Sequence, residues 1–179
     1  RHFHSAGRTV DEIPLDQLMG KGVVVDVSEK CLYDADYQIR VEDFTRWEKR
    51  YGRIPERAIV LLRTGFGSFW PDRSRYMGTD ETGAGAVPKL HFPGLDPEAA
   101  RWLAENRNVK AVGIDTPSID YGQSVLYESH VALFERNLPA FENVGRLEEL
   151  PPKGFRVIAL PMKIRGGSGG PLRIVAVLD

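Results

Sequence analysis

Cysteine is nearly absent from this chain of 179 residues, which carries one thiol, Cys31. A single cysteine excludes a disulfide framework within the chain and a zinc site built from several thiolates. A nucleophilic thiol would also need a base and a polar, activating setting. Its neighbours Lys30 and Leu32 establish neither, so Cys31 reads as an unengaged side chain. Scarce cysteine fits a reducing compartment, and the cytoplasm is the expected location. Long apolar runs are missing too: residues 23–25 and 59–62 are the most apolar stretches, far short of the ~20 residues that span a bilayer. Neither sign of charge dominates. Lys and Arg total 24 against 25 Asp and Glu, a formal net charge of -1, so nothing points to nucleic acid, an anionic membrane or a polyanionic substrate.

What is present is ordinary globular composition, 42% hydrophobic and 27% charged, which argues against a disordered or fibrous chain. The length fits one soluble domain of the usual size. The chain starts at Arg1 without an initiator Met or a signal-like apolar stretch, and it is expected to be a fragment or a processed product.

Strand and helix signals alternate, which indicates an α/β or α+β domain. Residues 22–27 form a Val-rich run bounded by Gly20 and Ser28, as a buried strand requires. Val41, Phe44, Trp47 and Tyr51 recur at helical spacing, and Gly52 stands where a C-terminal cap belongs. Residues 58–63 predict another buried strand, running into a glycine-marked turn at 64–68. Residues 71–93, rich in Gly, Pro, Asp and Thr, read as a long surface excursion. Asp96 followed by Pro97 predicts a helix start, because the carboxylate caps free amides and Pro at the first position loses no hydrogen bond. That helix should end near Asn106. Residues 109–114 predict a strand, 128–137 a helix, then a short strand, and 155–160 and 172–178 two more strands, the last pair joined by the glycine-rich segment 166–170.

The chemistry-bearing residues are few. The four histidines are His2, His4, His91 and His130. His2 and His4 would share a face in an extended segment. His130 lies on the predicted helix, and Glu142 follows after a turn near Pro139. A helix that reverses into a strand can return a carboxylate toward the helix start, and imidazole plus carboxylate suits zinc or manganese. Residues 115–120 end a strand, where α/β folds often place functional groups; turn chemistry explains the same Asp, Pro and Ser residues. The glycines at 166–170 lack the Lys and following helix of a phosphate loop, so a hairpin-type loop is expected. Phe66, Phe69, Trp70 and Tyr76 either wall an aromatic pocket or simply pack.

Several segments, taken together and in order, resemble the metal-dependent cyclase-like hydrolases, the family that includes bacterial-type kynurenine formamidase and isatin hydrolase. They are His2-Phe3, Val10-Asp11-Glu12-Ile13-Pro14-Leu15, Leu61-Leu62-Arg63-Thr64-Gly65 and His91-Phe92-Pro93-Gly94-Leu95. Gly113-Ile114-Asp115-Thr116-Pro117-Ser118 follows, then the His130 and Glu142 pair. The tail Ala159-Leu160-Pro161 through Gly169-Gly170-Pro171-Leu172-Arg173 completes the series.

The resemblance implies a mixed α/β fold with a partly barrel-like central sheet flanked by helices, over 1–179 as one domain lacking its N-terminal segment. It matches His2 to the catalytic histidine ending the family signature H-x-x-x-H-x-D-x-P-x-H-F, and His130 and Glu142 to residues that complete the metal centre. The other ligands of that signature would fall immediately before Arg1. The implied activity is hydrolysis of an aryl formamide or a cyclic amide, with N-formyl-kynurenine of tryptophan catabolism as first-choice substrate and isatin as second. The implied cofactor is a divalent metal, zinc or manganese. The implied partners are a small amide substrate and further copies of the chain, as a homodimer or higher oligomer. A competing expectation is a truncated, catalytically inactive family member that acts in binding or assembly.

Overall fold

The computed structural model describes residues 2–178. Six strands make one curled, half-barrel sheet: β1 (Met19–Asp26), β3 (Ile59–Arg63), β5 (Ala111–Ile114), β6 (Ala140–Phe141), β7 (Phe155–Pro161) and β8 (Leu172–Leu178). Their order is β6-β5-β3-β1-β7-β8. The first four strands in that order run parallel, while β7 and β8 are antiparallel to their neighbours. Two short strands, β2 (Gln38–Ile39) and β4 (Gly94–Leu95), pair in parallel away from the main sheet.

Alternation along each strand sorts the apolar side chains onto two faces. Val23 and Val25 of β1, Val60 and Leu62 of β3, and Val112 and Ile114 of β5 join one core. Into that core pack α2 (Val41–Tyr51), through Phe44 and Trp47, and α4 (Pro97–Asn106), through Ala99, Ala100 and Leu103. Val24, Ile59, Leu61 and Ala111 point the other way, into a second core with Phe141, Phe155 and Val157. The parallel strands are therefore apolar on both faces, as strands covered on both sides must be. The Phe155 ring lies directly over Gly22, where an added Cβ would sit 2.1 Å from it.

The helices begin and stop where their sequences require. Asp96 caps α4 by accepting hydrogen bonds from Glu98 N and Ala99 N, with Pro97 in the first position. Gly52 ends α2 at φ 89°, a backbone conformation open to glycine at little cost. A short helix α1 (Ser28–Tyr33) follows β1.

Two expectations are corrected. Residues 71–93 are not a plain surface excursion: they hold the helix α3 (Arg73–Met77) and bury Tyr76, Ala86 and Phe92. The helix expected to reach residue 137 is shorter, α5 (Glu128–Phe134). The chain then turns, with Asn137 at φ 53°, and feeds β6. Among the described residues no helix is long and apolar enough to cross a membrane.

Candidate active site

Two loops at the carboxyl end of the parallel strands build the site. One is 115–127, leaving β5. It is held by the segment entering β4: Leu95 N donates to Ile119 O at 2.7 Å, and Gly122 N donates to Phe92 O at 3.0 Å. Gly94 makes this approach possible, because a Cβ there would stand 2.1 Å from Tyr121 N. The contact sets the position of Asp120, which is 3% exposed.

Asp120 organises the start of α5. One carboxylate oxygen accepts from Ser129 N at 2.9 Å, and the other from His130 N at 3.3 Å. The Ser129 hydroxyl donates in turn to Leu95 O at 2.6 Å. That same second oxygen is hydrogen-bonded to His130 Nδ1. With Nδ1–H committed to Asp120, the ring turns Nε2 outward.

The second loop follows β6. Pairing of Val112 with Ala140 and Gly113 with Phe141 brings the next residue, Glu142, past the end of β5. Its Oε1 accepts from Ile119 N at 2.9 Å and lies 3.1 Å from His130 Nε2. The imidazole thus sits between two carboxylates. Burial alone would lower its pKa, but hydrogen bonds to Asp120 and Glu142 outweigh that penalty and hold it up at about 9.

His130 and Glu142 line a cleft of about 920 Å³ together with His2, Phe3, Tyr127, Asn143 and Ser168. His2 Nδ1 lies 3.2 Å from the Ser168 hydroxyl, on the loop that joins β7 to β8. Phe3 packs its ring 5.0 Å from His130, 5.2 Å from Tyr127 and 6.1 Å from Phe134. The cleft is therefore lined by aromatic rings packed around the imidazole, with the carboxylate beside them.

The residues singled out by sequence fall into two groups. His2, His130 and Glu142 share this one cleft, although His2 lies more than a hundred positions before the other two in the chain. The other histidines do not line it. The chain bends at Phe3, so the extended geometry that would align His4 with His2 is absent, and the His4 carbonyl accepts from Gly7 N at 2.8 Å in the turn that follows. His91 is paired with Asp36 at 2.7 Å. Asp115 is buried and faces the neighbouring loop that follows β3: it accepts from Thr64 N at 2.9 Å, Thr64 Oγ1 at 2.6 Å and Gly65 N at 2.9 Å. Burial still pushes its carboxyl above the usual range. Phe66 and Tyr76 are buried packing residues, while Trp70 is exposed. Cys31 is buried, and desolvation pushes its thiol up to about 12, the setting of an inert structural thiol.

Asp120 is the side chain against His130 that sequence reasoning missed. Its signal was there, at the end of the segment 115–120, but the same residues also spell a turn. A carboxylate on the far nitrogen is the usual means of fixing the tautomer and ring orientation of a ligating histidine.

A divalent ion fits part of this arrangement. His130 Nε2 and Glu142 Oε1 are nitrogen and oxygen donors converging on one point, with the histidine oriented from behind, and such donors suit zinc or manganese. Among the described residues no group of three or more His, Cys, Asp or Glu side chains is placed to hold a metal ion; Asp120 is bonded to the far ring nitrogen of His130.

Comparison with known proteins agrees with this architecture. The family model Cyclase, described as "Putative cyclase", matches residues 1–121. Isatin hydrolase of Roseibium aggregatum is 27% identical over 94% of this chain and 63% of its own length. Kynurenine formamidase of Salinibacter ruber is 32% identical over 97% of this chain and 70% of its own. The structure of isatin hydrolase A from Labrenzia aggregata, bound to benzyl benzoate, superposes with a TM-score of 0.87 at 34% identity, covering 97% of this chain and 66% of that one. The chain thus spans about two thirds of the length of these relatives. A family match over residues 1–121, joined to a 32% identical relative across nearly the whole chain, places it by descent: this chain belongs to the Cyclase family.

Proposed function

We propose that the protein hydrolyses a small aromatic amide, an aryl formamide such as N-formyl-kynurenine or a cyclic amide such as isatin. The observation that carries this reading is the Asp120–His130–Glu142 string opening onto a cleft whose rim holds His2. His130 and Glu142 would hold a divalent ion, zinc or manganese. When bound, such an ion polarises a carbonyl and lowers the pKa of a water molecule.

The chain's own groups divide the remaining work. Asp120 holds the proton on His130 Nδ1, so Nε2 is the nitrogen that would give up its proton, now directed at Glu142, to serve as a ligand. Ile119 N–H holds Glu142 Oε1 in place. His2, its Nδ1 set by Ser168, is the proton carrier between the attacking water and the leaving nitrogen, a role worth about 10²–10⁴-fold. Phe3, Tyr127 and Phe134 offer ring surface to an aromatic substrate. The names of the relatives, isatin hydrolase and kynurenine formamidase, support the substrate class. Family resemblance supports a homodimer or higher oligomer, and the buried thiol of Cys31 suits a reducing cytoplasm.

The test is turnover of N-formyl-kynurenine and isatin by the folded protein with zinc or manganese added, and with a chelator. Metal-dependent hydrolysis of either is expected, together with its loss in His2→Gln. Folded protein that hydrolyses neither removes the enzyme reading. One observation favours the competing reading of a non-catalytic binding or assembly partner: no third metal ligand joins His130 and Glu142 among the described residues. Elemental analysis bears on the choice, since a stoichiometric, tightly held transition metal in the purified protein counts against the non-catalytic reading.

A further inference from the structure

Next to Glu142, Asn143 also faces the cleft. Its backbone is fixed: its N–H donates to Thr116 O at 2.9 Å, and it adopts φ 57°, a left-handed conformation that asparagine tolerates better than most residues. Its side chain meets the buried hydroxyl of Tyr76. That hydroxyl lies 3.0 Å from the main-chain oxygen of Asp115 and 2.9 Å from Asn143 Oδ1. Both neighbours are acceptors, and a phenol has one hydrogen to give. Burial and the charges of Asp115 and Glu142 push the Tyr76 hydroxyl well above its usual range, so it stays neutral and keeps that one hydrogen.

Two acceptors on one hydrogen leave one contact unpaired. Giving the hydrogen to Asn143 would strand the buried Asp115 carbonyl, and an unsatisfied buried acceptor is more costly than a lost surface bond. Exchanging the oxygen and nitrogen of the Asn143 amide removes the conflict. Tyr76 then donates to Asp115 O, and Asn143 Nδ2 donates to Tyr76 Oη. The asparagine oxygen is then released from Tyr76, on a residue that lines the cleft with His130 and Glu142.

We propose that Asn143 is a specificity-determining residue: its amide nitrogen is anchored on Tyr76, and its carbonyl oxygen accepts the N–H of the substrate amide. The substrate class rests on the amide-hydrolase reading above; the orientation of the asparagine amide does not. A fixed acceptor selects secondary amides over N-alkylated ones, because an N-methyl group has no hydrogen to give and leaves the oxygen unpaired.

The experiment has two arms. In isotope-labelled protein, the side-chain amide protons of Asn143 should show nuclear Overhauser contacts to the Tyr76 ring. Contacts only to cleft residues would overturn the orientation. In the second arm, calorimetry compares isatin with N-methylisatin. The protein should prefer isatin by about tenfold, the size of one neutral hydrogen bond. In Asn143→Ala the preference should vanish because isatin binds more weakly. If it vanishes because N-methylisatin binds more tightly, the asparagine acts by bulk and the proposal fails. Equal binding of the two compounds by the unaltered protein overturns this proposal alone. Binding of neither overturns it together with the substrate class, while the spectroscopic arm still decides how the amide is turned.

Discussion

Two histidines in this molecule are paired with an aspartate through Nδ1, and they differ in everything else. His130 and Asp120 have side chains 11% and 4% exposed, and a second carboxylate, Glu142, meets the other ring nitrogen. His91 and Asp36 are 46% and 34% exposed, and the ring's other neighbour is the amide of Gln123. The same contact therefore serves two purposes. At the surface, water competes for both partners and an ion pair adds little. Inside the cleft wall, removing one partner leaves a charge that water cannot reach. Depth and the second carboxylate make His130 the candidate ligand; the presence of an aspartate alone does not.

The comparison predicts its largest effect at the ring itself. His130→Ala should abolish metal-dependent turnover and lower unfolding free energy by about 3 kcal/mol or more, since the buried Asp120 loses its ring partner. Denaturant unfolding and the isatin assay check both numbers. If stability and activity both survive, the deep pair is no different in kind from the surface one. Asp120→Asn should come next. The amide oxygen can still accept from Ser129 N, so the fold should hold. The hold on the imidazole tautomer weakens, and metal affinity or activity should fall by about 10–100-fold. Titration of the apoprotein with zinc measures it, and an unchanged affinity would mean that Asp120 serves only the start of α5.

Neither histidine–aspartate pair is legible in the sequence, for physical reasons. Periodicity and caps carry local information, so β3, α2 and α4 were legible within a residue or two, and β1 through its Val-rich centre although it starts three residues before Gly22: Val23 to Val25, Ile59 to Leu62, the Phe44 and Trp47 spacing, and Asp96-Pro97. The strands β2 and β4 were invisible, because two-residue strands have no period. They exist only through the pairing of Gln38 with Gly94 and Ile39 with Leu95. The excursion at 71–93 looked superficial because its glycines and prolines hide three anchors, Tyr76, Ala86 and Phe92, each 3% exposed. His130 and Glu142 were visible as a helix followed by a strand, and their identity as a pair came from family resemblance. Asp120 was not resolved from the turn around it. An aspartate that caps a loop and one that orients an imidazole carry the same letter, and only the backbone approach at Gly94 tells them apart.

The smallest expected effect is at the surface pair, and it is the most exacting test of the comparison. Asp36 Oδ2 accepts from His91, whereas its Oδ1 is buried without a hydrogen-bond partner among the described residues. A carboxylate so placed gains from one oxygen and loses solvation at the other, and the two largely cancel. In Asp36→Asn the charge disappears, the amide oxygen can still accept from His91, and the unpaired position no longer carries part of an anion. Stability should therefore change by less than about 1 kcal/mol, within the range for exposed pairs, and turnover should be unaltered. Denaturant unfolding of the variant beside Asp120→Asn makes the measurement. A loss of several kcal/mol at Asp36 would show that burial of one oxygen outweighs exposure of the pair, and depth would cease to be what separates the two histidines.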